Sequence, residues 1–235
     1  MQTLFRLFLI LFIASAIFSV FYFNLFHYLS FSALKTHRYD LLRWTEQHYA
    51  IVVLCFMAIY FAITALSIPG PAALTIMAGF LFGPWFGTLY VIVAATLGAI
   101  VIFLIVRFVL TDWFTNKTGK WVHKMQHGFQ NNAVSYLFFL RLVPLFPFFI
   151  VNAVPALLNV KLRTFSYTTF LGIIPGTFVY VLVGNGLGHV FDSGQQPNLG
   201  IIFEPPILIP ILALAILALV PIVYKKLRKR RHEKS

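Results

Sequence analysis

Apolar positions along this chain come in long unbroken runs rather than in alternation, and polar positions are gathered into a few short connectors. Residues 7–26 are uncharged, long enough for one membrane span at about 1.5 Å per residue across a ~30 Å core. Arg6 ahead of that run also admits a signal peptide, although Ser15, Ala16 and Ser19 lie inside the run with no clear cleavage site. Residues 28–48 mix Lys35, His37, Arg38, Asp40, Arg43 and Glu46 with Leu34, Leu41, Leu42 and Trp44, a composition that suits an interfacial amphipathic helix. From Gln47 to Val106 no Asp, Glu, Lys or Arg occurs. Two crossings would use roughly forty of those residues, which leaves a piece of hairpin size. The break falls at Ile68-Pro69-Gly70-Pro71, where a helix cannot continue. The pattern therefore predicts a span over 49–68, a re-entrant segment over 69–85 and a second span over 86–106.

The stretch 134–160, VSYLFFLRLVPLFPFFIVNAVPALLNV, is almost wholly apolar yet holds Arg141 and three prolines, Pro144, Pro147 and Pro155. An arginine at membrane depth costs from about 2.5 to over 10 kcal/mol, depending on how far it can snorkel. Prolines that release backbone carbonyls are tolerated there only where protein or a wet cavity satisfies those groups. A second re-entrant hairpin lining a polar hollow is expected, with Arg141 binding an anionic group alongside Asn152 and Asn159. The competing role for Arg141 is structural, satisfying carbonyls freed by Pro144 and Pro147. Lys161 and Arg163 follow as interfacial anchors, and 164–183 reads as a span interrupted by Gly172, Pro175 and Gly176. Residues 184–203 form a polar loop without lysine or arginine, and 205–224 close the membrane part.

Composition agrees: 60% of the 235 residues are hydrophobic and 10% charged, against about a quarter charged in soluble domains. The expected class is an all-α integral membrane protein with about five transmembrane helices and two opposed re-entrant hairpins. Its parts are 1–48, a core over 49–190, an outer loop and last helix over 191–224, and a basic tail over 225–235. Net charge is +12, but seven of the 18 basic residues fall in the last eleven positions. Membrane lipids with anionic head groups are thus the expected partners rather than nucleic acid. This parse puts 16 of the 18 basic residues on one face, which the positive-inside rule makes cytoplasmic, C-terminus included. The single Cys55 permits no internal disulfide. His123 and His127, four apart, lack a third ligand nearby, so no metal and no cofactor is expected. No Ser/His/Asp set or pair of acids occurs at membrane depth, which argues against an enzyme. Homo-oligomerisation is open.

Small residues recur at Gly79, Gly83 and Gly87, then at Ala94 and Gly98, spacings that let helices approach closely. A shift of 78 residues superposes Pro69 on Pro147, Ala78 on Ala156, Ala94 on Gly172 and Gly98 on Gly176. Interrupted segments in corresponding halves are the sequence sign of inverted-repeat transporters, with coincidence as the other reading.

The stretches 68–108, 139–165 and 172–184 resemble the signatures of DedA-like membrane proteins, in the SNARE-associated Golgi protein (VTT domain) branch. Arg141, Pro144 and Pro147 fall on the second signature in register. The resemblance implies two facing re-entrant hairpins packed through Pro69, Gly70 and the glycines above, and movement of lipids, lipid-linked carriers or ions across a membrane. Bacterial relatives are similar to envelope-maintenance proteins of the inner membrane. DedA proper resembles a proton-coupled system, with an acid in the first hairpin and a second arginine after the first. Here the first hairpin reads Pro69-Gly70-Pro71-Ala72-Ala73, and Pro147 stands where the second arginine would be. Proton coupling would have to use His48 or His189. A transporter or lipid translocase is therefore the leading expectation, with a non-transporting envelope scaffold as the alternative.

Overall fold

A computed structural model describes residues 36–68, 70–109, 129, 132–187 and 200–232, the last ten of these by backbone alone. The expected first span 7–26, Pro69, the histidine pair, His189 and most of the outer loop lie outside the described residues. All regular structure among the described residues is helical. The helices are α1 (Arg38–Gln47), α2 (Tyr49–Ala65), α3 (Pro71–Val109), α4 (Ala133–Leu142), α5 (Phe148–Leu157), α6 (Leu162–Gly172), α7 (Ile174–Asn185) and α8 (Pro205–His232). The chain divides into two units. One holds residues up to Gly98 with Thr177–Leu199, the other Ala99–Gly176 with Gly200–Ser235.

In the first unit α1 turns through 112° into α2. Polar α1 and apolar α2 are thus separate helices, as the change of composition at Gln47 predicts. α3 is not one rod. Gly83 adopts φ 73°, ψ −178°, directly ahead of Pro84. Glycine takes that backbone without the Cβ clash other residues meet, and proline removes the next N–H from the helix ladder. Residues 71–82 and 84–109 are therefore two limbs. Phe82 and Tyr90 have ring centroids 5.4 Å apart, and a Cβ on Gly87 would lie 2.7 Å from the carbonyl oxygen of Ala78. In a straight helix, residues nine apart are separated by roughly 13 Å. The first limb folds back on the second, as a hairpin over 69–85 requires. The segment following Gly176 packs against the first limb: a Cβ on Gly79 would fall 1.9 Å from the Val181 carbonyl oxygen, and one on Gly184 1.8 Å from that of Ile76.

In the second unit α4 ends at Val143 in extended conformation (φ −78°, ψ 111°), and α5 restarts after Pro147 at φ −55°, ψ 136°. Pro144 and Pro147 thus sit between helices rather than kinking one. Proline needs no N–H at the start of a helix, and the residue before a proline is pushed out of the α region. The N–H groups of Ile150 and Val151 donate to the Pro147 carbonyl, which opens α5. α6 and α8 both pack on α4. The unit's core joins Ala99, Phe103 and Val106 to Leu137, Ala156, Val160 and Phe165, with Phe103 stacked on Phe165 at 4.4 Å. The run over 162–185 is broken at Ile173, just ahead of Pro175.

Among the described residues three helices, 71–109, 162–185 when α6 and α7 are taken together, and 205–222, are long and apolar enough to cross a membrane. The pair α1–α2, bent by 112°, counts as a fourth only if both helices form one broken span. The chain is an all-α integral membrane protein. Its exposed Phe, Leu and Ile side chains, among them Leu54, Phe86, Leu97 and Leu217, are those a lipid-facing surface calls for.

Candidate functional site

Arg141 lies in the last turn of α4, and the neighbouring helices supply everything that holds it. One Nη2 donates to Asn152 Oδ1 on α5 at 2.8 Å and to Thr169 Oγ1 on α6 at 2.8 Å. The guanidinium stands 5.2 Å above the Phe165 ring centroid, a cation–π contact. Both the bond across eleven residues to Asn152 and the break at 143–147 require α4 and α5 to fold back on each other. Gly172 completes the cradle. A Cβ there would meet Arg141 Cβ at 2.9 Å and Phe138 at 3.3 Å, so a side chain on α6 would displace the arginine stem.

Asn152 is fully buried. Its Oδ1 is engaged, but its Nδ2 has no hydrogen-bond partner, and neither has the buried Nε of Arg141. A buried donor left unsatisfied costs about 1–3 kcal/mol. Two such donors on adjoining residues form an electropositive spot that an oxygen ligand would relieve. The acceptors on Arg141 are neutral, an amide and a hydroxyl, so they orient the guanidinium without cancelling its charge.

The sequence-predicted residues separate into two places. Arg141 and Asn152 come together, with Pro144 and Pro147 in the turn between their helices. The arginine's bonds go to side chains, not to carbonyls released by those prolines. Asn159 is engaged elsewhere, at positive φ (56°) just past α5, where its Oδ1 accepts from Arg107 Nη2 at 2.7 Å. Among the small residues, Gly70 and Gly83 take positive φ, Gly98 meets Thr64 and the Phe61 carbonyl, and Gly176 faces Ile202. Thr169 and Phe165 were not singled out from sequence. The run Ser166-Tyr167-Thr168-Thr169 inside an apolar span was the available signal, since hydroxyls at membrane depth need partners. Thr168 satisfies its own by donating to the Thr164 carbonyl at 2.7 Å, which leaves Thr169 for the arginine. Among the described residues no group of three His, Cys, Asp or Glu is assembled.

Long apolar helices, folded back on one another in each unit, define a multi-pass membrane protein. Comparison with known proteins gives the class a family. Residues 68–186, about half of the chain, match the VTT domain, and the chain belongs to that family, which groups with the SNARE-associated and DedA proteins. It is similar to transmembrane protein 41B of Homo sapiens, 27% identical over 195 residues that cover 81% of this chain and 65% of that protein. It is also similar to the transmembrane protein 41 homolog of Dictyostelium discoideum, 32% identical over 191 residues, covering 79% of this chain and 55% of that protein. The chain therefore spans less than two thirds of the length of these relatives. No solved structure gives a significant match.

Proposed function

We propose that the protein is a transporter or lipid translocase that moves an anionic lipid, a lipid-linked phosphate or a small anionic solute, with Arg141 as the contact for the anionic group. The observation that carries this reading is the neutral cradle. Arg141 is held by the neutral acceptors Asn152 and Thr169, and two buried donors, its own Nε and Asn152 Nδ2, remain without acceptors. A planar guanidinium fixed on one side and unpaired on the other is suited to a phosphate oxygen. A C-terminus in the cytoplasm belongs to the same reading and rests on charge sidedness; residence in a bacterial inner membrane rests on the resemblance to DedA-like proteins alone.

The test is flux in proteoliposomes with labelled phospholipids and lipid-linked phosphates. Arg141→Ala is expected to abolish flux while the protein still inserts and stays folded. Arg141→Lys keeps the charge but loses the fork, leaving partial activity. An envelope scaffold moves nothing in this assay. Full flux through Arg141→Ala would overturn the proposal.

A further inference from the structure

A second polar site lies within the Ala99–Gly176, Gly200–Ser235 unit, apart from Arg141. A cavity of about 690 Å³ is lined by Arg107, Lys161, Asn132, Ser135, Asn159 and Thr164 among others. Its volume is that of a typical small-ligand pocket. Two cations face it, and no acidic residue lines it. Arg107 is held rigidly: Nη1 donates to the Val160 carbonyl at 2.9 Å and Nη2 to Asn159 Oδ1 at 2.7 Å. Those bonds use two of five N–H donors and neutralise nothing, since both acceptors are uncharged. Lys161 is exposed, and its ammonium carries three donors.

The walls add to the positive potential. The first turns of α4 and α6 both line the cavity, and neither helix has a side-chain cap at its N-terminus, where Asn132 and Lys161 stand. Uncapped first-turn N–H groups carry the positive end of the helix dipole. All these residues sit where apolar helices end: Arg107 in the last turn of α3, Asn132 before α4, Asn159–Lys161 between α5 and α6. Ends of membrane helices lie at the level of lipid head groups, where phosphate is the abundant anion.

We infer that this cavity is a phosphate-binding site, distinct from Arg141, taking the phosphate of a phospholipid head group or of a soluble phosphate ester. Arg107 is the fixed anchor, Lys161 the mobile second cation, and Ser135 and Thr164 supply hydroxyls at the rim. The site does not depend on transport through Arg141.

The experiment is calorimetric titration of the full chain in uncharged detergent with dihexanoyl phosphatidic acid and, separately, with glycerol 3-phosphate. Saturable binding of the lipid is expected. If glycerol 3-phosphate binds as well, the source is a soluble phosphate; if it does not, a lipid head group. Lys161→Gln is expected to weaken binding about tenfold, the worth of one charge-assisted hydrogen bond. Ser135→Asp puts a carboxylate in the first turn of α4, where it favours the helix; it is expected to abolish the same binding step that Lys161→Gln weakens, without lowering the unfolding temperature. Arg141→Ala is expected to keep the binding step that Lys161→Gln weakens, losing only what Arg141 itself contributes. Absence of saturable binding by both probes would overturn the assignment, as would full affinity in both Lys161→Gln and Ser135→Asp. Loss of binding in Arg141→Ala with none in Lys161→Gln would place the phosphate at Arg141 instead.

Discussion

Asn152→Asp is the change that most sharply divides an anion-binding Arg141 from a structural one. The two side chains have the same shape, so Oδ1 still accepts from Arg141 Nη2 across the present 2.8 Å. The second oxygen takes the place of an amide nitrogen that has no acceptor, removing a penalty of about 1–3 kcal/mol. A charge–guanidinium attraction of about 5 kcal/mol at an effective dielectric of ~20 opposes a desolvation cost of several kcal/mol for the buried carboxylate. The net change in stability is therefore small, within about 2 kcal/mol. The effect on an incoming anion is large. A negative charge ~5 Å from it raises its energy by about 3 kcal/mol at the same dielectric, more than a hundredfold in affinity. Flux in proteoliposomes, read beside thermal unfolding in detergent, checks both halves. Flux is expected to fall at least a hundredfold with the melting temperature held or raised. Undiminished flux through a stable Asn152→Asp protein would refute anion binding at Arg141.

Gly172→Val is expected to lower flux at least tenfold and stability by about 1–3 kcal/mol, because its Cβ would meet Arg141 Cβ at 2.9 Å; the same two assays read it. Gly79→Ala and Gly184→Ala are each expected to yield aggregated protein on size exclusion, since the added carbon would lie under 2 Å from a backbone oxygen. By contrast Gly83→Ala meets no atom within 4 Å and is expected to cost the strain of its positive-φ extended backbone, about 1–3 kcal/mol. A cysteine placed in the 225–235 tail, on a Cys55→Ala background, is expected to resist an impermeant thiol reagent added outside; outer labelling would sink the five-crossing topology.

The coarse fold was readable because the membrane leaves few options. Charge-free length sets the spans, and Ile68–Pro71 and the prolines at 144 and 147 announce breaks, since helices end where N–H groups vanish; the sharper break at Gly83, read from sequence only as a packing residue, shows in its backbone. The limits of the reading lay in side-chain pairing across space. Asn152 and Asn159 are seven residues apart, and periodicity puts both near Arg141. The chain reverses direction past α5, however, and Asn159 caps that turn at positive φ, which aims it at Arg107. Arg107 lies at the end of an apolar run, where a lone arginine normally marks the membrane interface. Only packing shows that it is fastened to residues 52 and 53 positions further on. Thr169 was hidden for a similar reason: a hydroxyl inside an apolar helix usually bonds its own preceding turn, as Thr168 does.

The chemistry of the cradle bears on mechanism as well as binding. A buried arginine paired with a carboxylate would be electrically closed, and an anion could enter only by breaking that pair. Removing one partner of a buried ion pair costs about 3–5 kcal/mol, which would have to be supplied at every passage. This chain carries six acidic residues in all, none between Gln47 and Val106 or between 113 and 191, and among the described residues the side-chain bonds of Arg141 go to Asn152 and Thr169, not to a carboxylate. Asn152 and Thr169 hold the guanidinium by dipoles instead, and Phe165 supports its face. On the transport reading proposed above, an arriving phosphate oxygen would gain a charge and idle donors while displacing no carboxylate. On departure it leaves behind an arginine still fixed by the same two bonds. A site that is oriented in both states, and neutralised in only one, binds and releases without rebuilding itself. That is what repeated movement of an anion demands.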